Sequence, residues 1–104
     1  MTEIEPAGPA PSGPAVLDSG GGTGALRVSV PAALLHTEPE VSPAAEPEAR
    51  THTGVHERFL HGESLLVALF PSLSSGHWTL WGEGPCATMT IEIRDGRVTE
   101  VDWR

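Results

Sequence analysis

The sequence contains no lysine, asparagine, glutamine or tyrosine, and its six basic residues are all arginine. Without lysine, neither Schiff-base chemistry nor the lysine of a phosphate-binding P-loop is available to this chain. The arginines are outnumbered by 14 acidic residues, which gives a formal net charge of −8. Proteins that bind the phosphate backbone of nucleic acids need clustered cations, so we expect no nucleic-acid partner.

Long apolar segments and paired cysteines are also absent. No run in the sequence approaches the roughly 18–20 apolar residues of a membrane-spanning helix. The first residues are acidic where a secretory signal would be basic, and Cys86 is the one cysteine. We therefore expect a cytoplasmic protein that does not associate with membranes. Cys86 is either a reactive or metal-binding thiol or a small half-buried apolar residue, and the lack of a neighbouring base or second thiol favours the latter.

The composition divides the chain into an arm and one domain. Residues 1–24 hold four prolines and six glycines, too few apolar side chains to offset the entropy of ordering, so we predict a disordered arm. This arm is either a tether to a partner or a passive tail, and we favour the tail. Residues 25–104 form the predicted domain, since the remaining length fits one.

Alternating apolar residues mark the start of this domain. Leu26, Val28 and Val30 alternate with polar residues, which predicts a half-buried strand that ends at Pro31. The segment 37–50 is rich in proline and glutamate, so we predict a short edge strand followed by an exposed loop.

The second half is predicted to be densely β, with strands at 51–60, 64–70, 77–81, 87–93 and 97–103. Val55 and Phe59 are expected on one face of the first of these, with a turn at His61-Gly62. The unbroken apolar run 64–70 predicts a central strand that is covered on both sides. Trp78 and Leu80 are expected in the core.

The last two strands flank Asp95-Gly96, which is typical of a hairpin turn. A two-residue loop places Ile91 opposite Glu100, whereas a three-residue loop with left-handed Gly96 places it opposite Thr99. We predict the second register, because it puts the apolar residues on one face, namely Met89, Ile91, Ile93, Val101 and Trp103, and turns Glu92, Glu100 and Asp102 outward. The predicted fold class is all-β, a small antiparallel β-sandwich of six to seven strands.

The segment Leu69-Phe70-Pro71-Ser72-Leu73-Ser74-Ser75-Gly76-His77-Trp78-Thr79-Leu80 resembles the corresponding segment of prealbumin-like domains, with Trp78 where that family has tyrosine. The group includes transthyretin-like, carboxypeptidase-regulatory-like and collagen-adhesin B-type domains. The resemblance implies a β-sandwich in which the glycine turns the chain and the aromatic residue fills the core. Without lysine, the isopeptide crosslink of adhesin repeats cannot form. The C-terminal residues 101–104 lack the tyrosine-arginine-glycine-serine tail of transthyretin-like hydrolases. The domain is also similar to small uncharacterised proteins of high-GC bacteria, which implies no activity.

Histidines are the one enrichment that suggests chemistry. His52, His56 and His61 lie close in sequence, and His77 follows. On a strand, His52 and His56 are roughly 13 Å apart, too far to share one ion; on a helix they would be adjacent ligands, but Gly54 opposes a helix there. We expect no cofactor and no metal, and keep a metal- or small-ligand-binding protein using these four histidines as the alternative function.

The preferred function is non-catalytic. No nucleophile, base and orienting acid occur at a catalytic spacing, so the chain leans away from being an enzyme. Trp81 and His77 share the face opposite Trp78, where they form an exposed patch or, as we favour, pack at the core or rim. Together with Glu38 and Glu40 they are the candidate interaction residues. We predict an accessory-subunit or protein-interaction module that docks on a larger cytoplasmic protein; the sequence leaves its oligomeric state open.

Overall fold

The computed structural model describes residues 22–104, which form eight strands in two four-stranded sheets. The strands are β1 (Thr23–Val30), β2 (Glu40–Pro43), β3 (Thr51–His52), β4 (Val55–Leu60), β5 (Glu63–Ser74), β6 (Gly76–Leu80), β7 (Met89–Ile93) and β8 (Val98–Asp102), with a 3₁₀ turn at Ala32–Leu34. The predicted arm, 1–24, lies outside the described residues except for its last three. Within the described range, no helix has the length and apolarity needed to cross a membrane.

Sheet A has the strand order β4-β5-β1-β8, and sheet B has the order β3-β2-β6-β7. The predicted all-β sandwich is confirmed. Neighbouring strands are antiparallel except for β1 and β8, which run parallel. The described residues hold one strand more than the predicted maximum, because the segment 51–60 divides at Thr53-Gly54 into β3 in sheet B and β4 in sheet A.

The core lies between the sheets and draws on both. In β1, Leu26, Val28 and Val30 are buried while the residues between them are half-buried, as the alternation predicted. The strand begins at Thr23 rather than at Ala25. The buried apolar cluster consists of Leu26, Val28, Val30, Leu34, Val41, Ala68, Phe70, Leu73, Trp78, Leu80, Cys86, Ile91 and Ile93.

β4 and β5 form a hairpin closed by the predicted turn at His61-Gly62. Both turn residues have positive φ, 52° and 80°, which suits a two-residue turn between paired Leu60 and Glu63. β5 continues to Ser74, beyond the predicted strand. The prediction that it is covered on both sides is wrong, because Leu69 on its outer face is 39% exposed. Phe59 lies beyond the end of the core and is 75% exposed.

The place of β2 within its sheet differs from the prediction. It was expected at a sheet edge, yet it lies between β3 and β6, with Val41 paired to Leu80. The edge is taken by the two-residue β3, which pairs Glu40 with His52. The exposed loop after β2 was predicted and is present, since every residue from 44 to 50 is exposed.

The predicted hairpin of the last two strands is wrong. β7 pairs with β6 in sheet B, where Ile91 faces Trp78, and β8 pairs with β1 in sheet A, where Val101 faces Val28. The turn itself forms: Gly96 is left-handed with φ 70°, and the Arg97 N–H donates to the Arg94 carbonyl at 3.1 Å. The chain uses this turn to pass from one sheet to the other.

Because β7 and β8 lie in different sheets, their apolar side chains cover the core from both sides. Ile91 and Ile93 are buried from sheet B, while Val101 and Trp103 pack partly buried against the same core from sheet A. A hairpin would have placed all four on one side. Met89, expected inside, is 38% exposed. The acidic residues expected outside are exposed, namely Glu92, Glu100 and Asp102.

Candidate functional site

A cleft on the outer face of sheet B contains three of the four candidate interaction residues. It has a volume of about 380 Å³ and is lined by Glu38, Glu40, Arg50, Trp81, Gly82 and Glu83. We call this site the Trp81 cleft. His77, the fourth candidate, is exposed on β6 opposite Glu92 of β7 and does not line the cleft.

Trp81 is placed by the pairing of β6 with β2. Leu80 faces Val41 inside the core, so strand alternation turns the next residue outward. The Trp81 backbone N–H donates to the Glu40 carbonyl at 3.0 Å, and its indole Nε1–H donates to Ser42 Oγ at 2.9 Å. Ser42 is fully buried. Trp81 itself is half-buried and therefore packs at the rim of the sheet.

Arg50 lies over the indole of Trp81 at the end of the exposed loop. Its guanidinium carbon is 3.9 Å from the ring centroid, and its Nη1 donates to Glu40 Oε1 at 2.8 Å. Both charged side chains remain partly exposed. An exposed cation–π contact contributes about 0.5–1 kcal/mol and an exposed ion pair about as much or less. The two contacts hold the loop weakly, so Arg50 can be displaced.

The other two carboxylates come from separate loops. Glu38 Oε1 lies 3.8 Å from His52 Nδ1 on the neighbouring β3. Glu83 is held by a tight turn in which its N–H and carbonyl both pair with the backbone of Cys86. Gly82 makes this turn possible, because a Cβ there would lie 2.3 Å from the Cys86 carbonyl oxygen.

The cleft is negatively charged. It brings together three carboxylates, those of Glu38, Glu40 and Glu83, and the single guanidinium of Arg50. Three negative charges against one positive charge leave −2 before His52 is counted. An additional cation would be attracted to such a site, while an anion would be repelled.

The four candidate histidines lie at separate places in the fold. His52 and His77 belong to sheet B, while His56 and His61 belong to the β4–β5 hairpin of sheet A. Among residues 22–104, no group of three or more His, Cys, Asp or Glu side chains is arranged to hold a metal ion. The geometry therefore gives no support to a shared site built from these histidines.

Cys86 belongs to the core. It is 8% exposed, and burial raises the pKa of its thiol, with the Glu83 carboxylate raising it further. A thiol with a raised pKa stays protonated at neutral pH and is a poor nucleophile. Cys86 is a small residue of the apolar core, as expected, but it is buried rather than half-buried.

Two charged residues that line the cleft, Arg50 and Glu83, were not predicted from the sequence. The sequence offered one reason to consider Arg50, because it is the single arginine between Arg27 and Arg58 and stands at the end of an acidic loop. The sequence offered no reason to consider Glu83, since its approach to Trp81 depends on how the turn after β6 folds.

No match is found when the chain is compared with protein-family models, with curated proteins and with solved structures. The resemblance of residues 69–80 to prealbumin-like domains stays a prediction. Fold and site together define a two-sheet β-sandwich that carries an acidic, tryptophan-lined cleft on the outer face of one sheet.

Proposed function

We propose that the protein is a non-catalytic interaction module whose Trp81 cleft receives an arginine side chain of a larger cytoplasmic protein. The observation that carries this proposal is the placement of Arg50. The guanidinium stacks on the Trp81 ring and donates to Glu40, which is the pair of contacts that a partner's arginine would need. The contacts of the chain's own arginine support a guanidinium as the ligand of the cleft.

Charge supports a cationic partner over an anionic or neutral one. Arg50 neutralises one of the three carboxylates, and Glu38 and Glu83 have no arginine partner within the described chain. A second guanidinium entering the cleft would reduce the repulsion between these carboxylates. The net charge of −8 would in addition speed the encounter with a basic surface.

The size and openness of the cleft also fit a side chain presented by another protein. A volume of about 380 Å³ lies within the range of small-ligand sites, about 300–1,000 Å³. Glu38 and Glu40 are only partly covered, with 69% and 43% of their side chains exposed. A guanidinium can therefore reach Glu38 directly, and it reaches Glu40 and the Trp81 ring by displacing the Arg50 side chain.

The test uses the full chain and a short probe, acetyl-Gly-Arg-Gly-amide, followed through the Trp81 indole N–H signal in NMR spectra. For a single exposed side chain we expect a dissociation constant on the order of a millimolar. The same peptide with citrulline, which has the shape of arginine without its charge, should not bind. Trp81→Leu should weaken binding of the arginine peptide by about two- to fivefold, followed through backbone amides of the cleft.

Three further variants distinguish binding in the cleft from attraction by the general charge of the protein. Arg50→Ala should strengthen binding, because it frees the ring face and one carboxylate. Glu83→Gln should weaken binding, whereas Glu92→Gln removes an equal charge from the same face outside the cleft and should leave it unchanged. Equal binding of the arginine and citrulline peptides, or equal losses in Glu83→Gln and Glu92→Gln, would contradict the proposal.

We also propose that the domain is prealbumin-like. The similar segment covers the end of β5, the corner at Ser75 and the whole of β6. In it, Gly76 adopts a φ of 135°, and Trp78 is buried in the core with its indole N–H bound to the Ser74 carbonyl at 2.8 Å. A structural glycine followed by a core aromatic is the arrangement that the resemblance implies.

A further inference from the structure

We propose that a second cavity, on the outer face of sheet A, binds a short aliphatic carboxylate. The cavity has a volume of about 130 Å³ and is lined by Arg27, His56, Arg58, Val67 and Leu69. Its charge is opposite to that of the Trp81 cleft and it lies on the other sheet. The proposal therefore goes beyond the interaction function and does not depend on it.

Strand register explains why three basic side chains meet over two apolar ones. Across β4 and β5, His56 is opposite Val67 and Arg58 is opposite Leu65. Across β1 and β5, Arg27 is opposite Leu69. Residues directly opposite each other in antiparallel strands share a face, so these side chains point to the same side of sheet A.

The two arginines of the cavity differ in whether they already have an ion-pair partner. Arg27 forms an ion pair with Glu100, its partner across β1 and β8. Arg58 donates to the Glu57 carbonyl at 3.2 Å and makes no ion pair within the described part of the chain. The Glu57 carboxylate accepts a hydrogen bond from Ser64. Arg58 is therefore the cation that remains available to an incoming carboxylate, with His56 as a neighbouring hydrogen-bonding group.

The floor of the cavity selects for an alkyl group. Val67 lines the cavity on the outer face of sheet A, although it is only 5% exposed. Leu69 beside it is 39% exposed. Phosphate and other fully hydrated anions would gain nothing from this floor, whereas an alkyl chain would bury apolar surface on it.

The volume limits the ligand to a short chain. A cavity of about 150 Å³ holds benzene, which has six non-hydrogen atoms. A volume of about 130 Å³ therefore suits a ligand of roughly that size. Butyrate fits this description, with its carboxylate at Arg58 and its propyl group on Val67 and Leu69.

The test is a titration of the full chain with sodium butyrate at constant ionic strength, followed through the methyl signals of Val67 and Leu69 in NMR spectra. We expect saturable shifts with a dissociation constant on the order of a millimolar. Acetate, which lacks the propyl group, and butyramide, which lacks the charge, should each bind at least about tenfold more weakly.

Matched arginine variants test the role of Arg58. Arg58→Gln should weaken butyrate binding by about tenfold, and Arg58→Lys should weaken it less because the charge is kept. Arg94→Gln removes the same charge from an exposed arginine next to β7 and should have no effect. The proposal fails if butyramide binds as well as butyrate, if Arg94→Gln costs as much as Arg58→Gln, or if no saturable shift occurs.

Discussion

A methyl group added at Gly24 tests the packing of the 94–97 turn, through which the chain passes from sheet B to sheet A. The turn at 94–97 lies against the start of β1: the Ala25 N–H donates to the Arg97 carbonyl at 2.9 Å, and the Gly96 N–H donates to the Thr23 carbonyl at 2.8 Å. In Gly24→Ala, the new Cβ would lie 2.2 Å from the Arg94 carbonyl oxygen and 2.9 Å from that of Arg97. Both are backbone atoms, so no side-chain rotation relieves the contact.

The expected loss of stability follows from this geometry. Overpacking a well-packed site costs about 1–3 kcal/mol, and we expect a value near the top of that range because backbone must move. For a domain of this size, 1 kcal/mol changes Tm by about 4–8 °C. Gly24→Ala should therefore lower the free energy of unfolding by about 3 kcal/mol and the Tm by about 12–24 °C.

The assay is urea and thermal unfolding followed by tryptophan fluorescence and circular dichroism. Gly54→Ala is the matched control, because its added Cβ meets nothing closer than His56 Nε2 at 3.6 Å. That variant should match the original stability or exceed it by up to about 1 kcal/mol. A Gly24→Ala variant as stable as Gly54→Ala would therefore refute the packing of the 94–97 turn against the start of β1.

Two titratable groups give the remaining predictions. The Arg104 side chain, together with the Arg104 backbone N–H, lowers the pKa of Asp102 to about 2. An NMR titration should therefore place the midpoint of the Asp102 carboxyl near that value. The variant Arg104→Gln should raise the pKa of Asp102. Because the folded pKa is lowered, any stabilisation is complete above the ordinary value of 3.8 and is lost as the pH falls towards 2. Burial and Glu83 raise the pKa of the Cys86 thiol, so iodoacetamide at neutral pH should modify the folded protein far more slowly than the urea-unfolded chain. Equal rates would show that Cys86 is accessible and reactive.

Features that depend on a few consecutive residues could be predicted from the sequence. The alternation of β1 identified Leu26, Val28 and Val30 as core residues, and the turn at His61-Gly62 closes its hairpin as expected. Trp78 and Leu80 were placed correctly in the core for the same reason. In each case, local side-chain periodicity or turn chemistry decides the outcome.

Strand pairing across the molecule could not be predicted in the same way. Asp95-Gly96 does form a turn, but the strands on either side separate because β6 and β1 are their partners. Those partners are distant in sequence, and no local pattern encodes the choice. The parallel pairing of β8 with β1 is likewise absent from any short-range signal.

The same distinction applies to the sites. Trp81, Glu38 and Glu40 were candidates because an aromatic residue on an outward face and an acidic run are visible in the sequence, and the structure places all three around one cleft. Arg50 joins them only because the loop after β2 returns the chain to the end of β6. Arg27, His56 and Arg58 were not recognised as a group, since register across three strands brings them together.

The net charge of −8 does not determine the sign of either proposed site. The Trp81 cleft lies on the outer face of sheet B, and the cavity proposed to bind a carboxylate at Arg58 lies on the outer face of sheet A. Packed sheets are separated by about 10 Å, and physiological salt screens charges in solution beyond about 8 Å. Each outer face therefore presents mainly its own charges to solvent. The two proposals are therefore compatible with an overall acidic chain, because the neighbouring side chains, and not the total charge, set the local potential at each site.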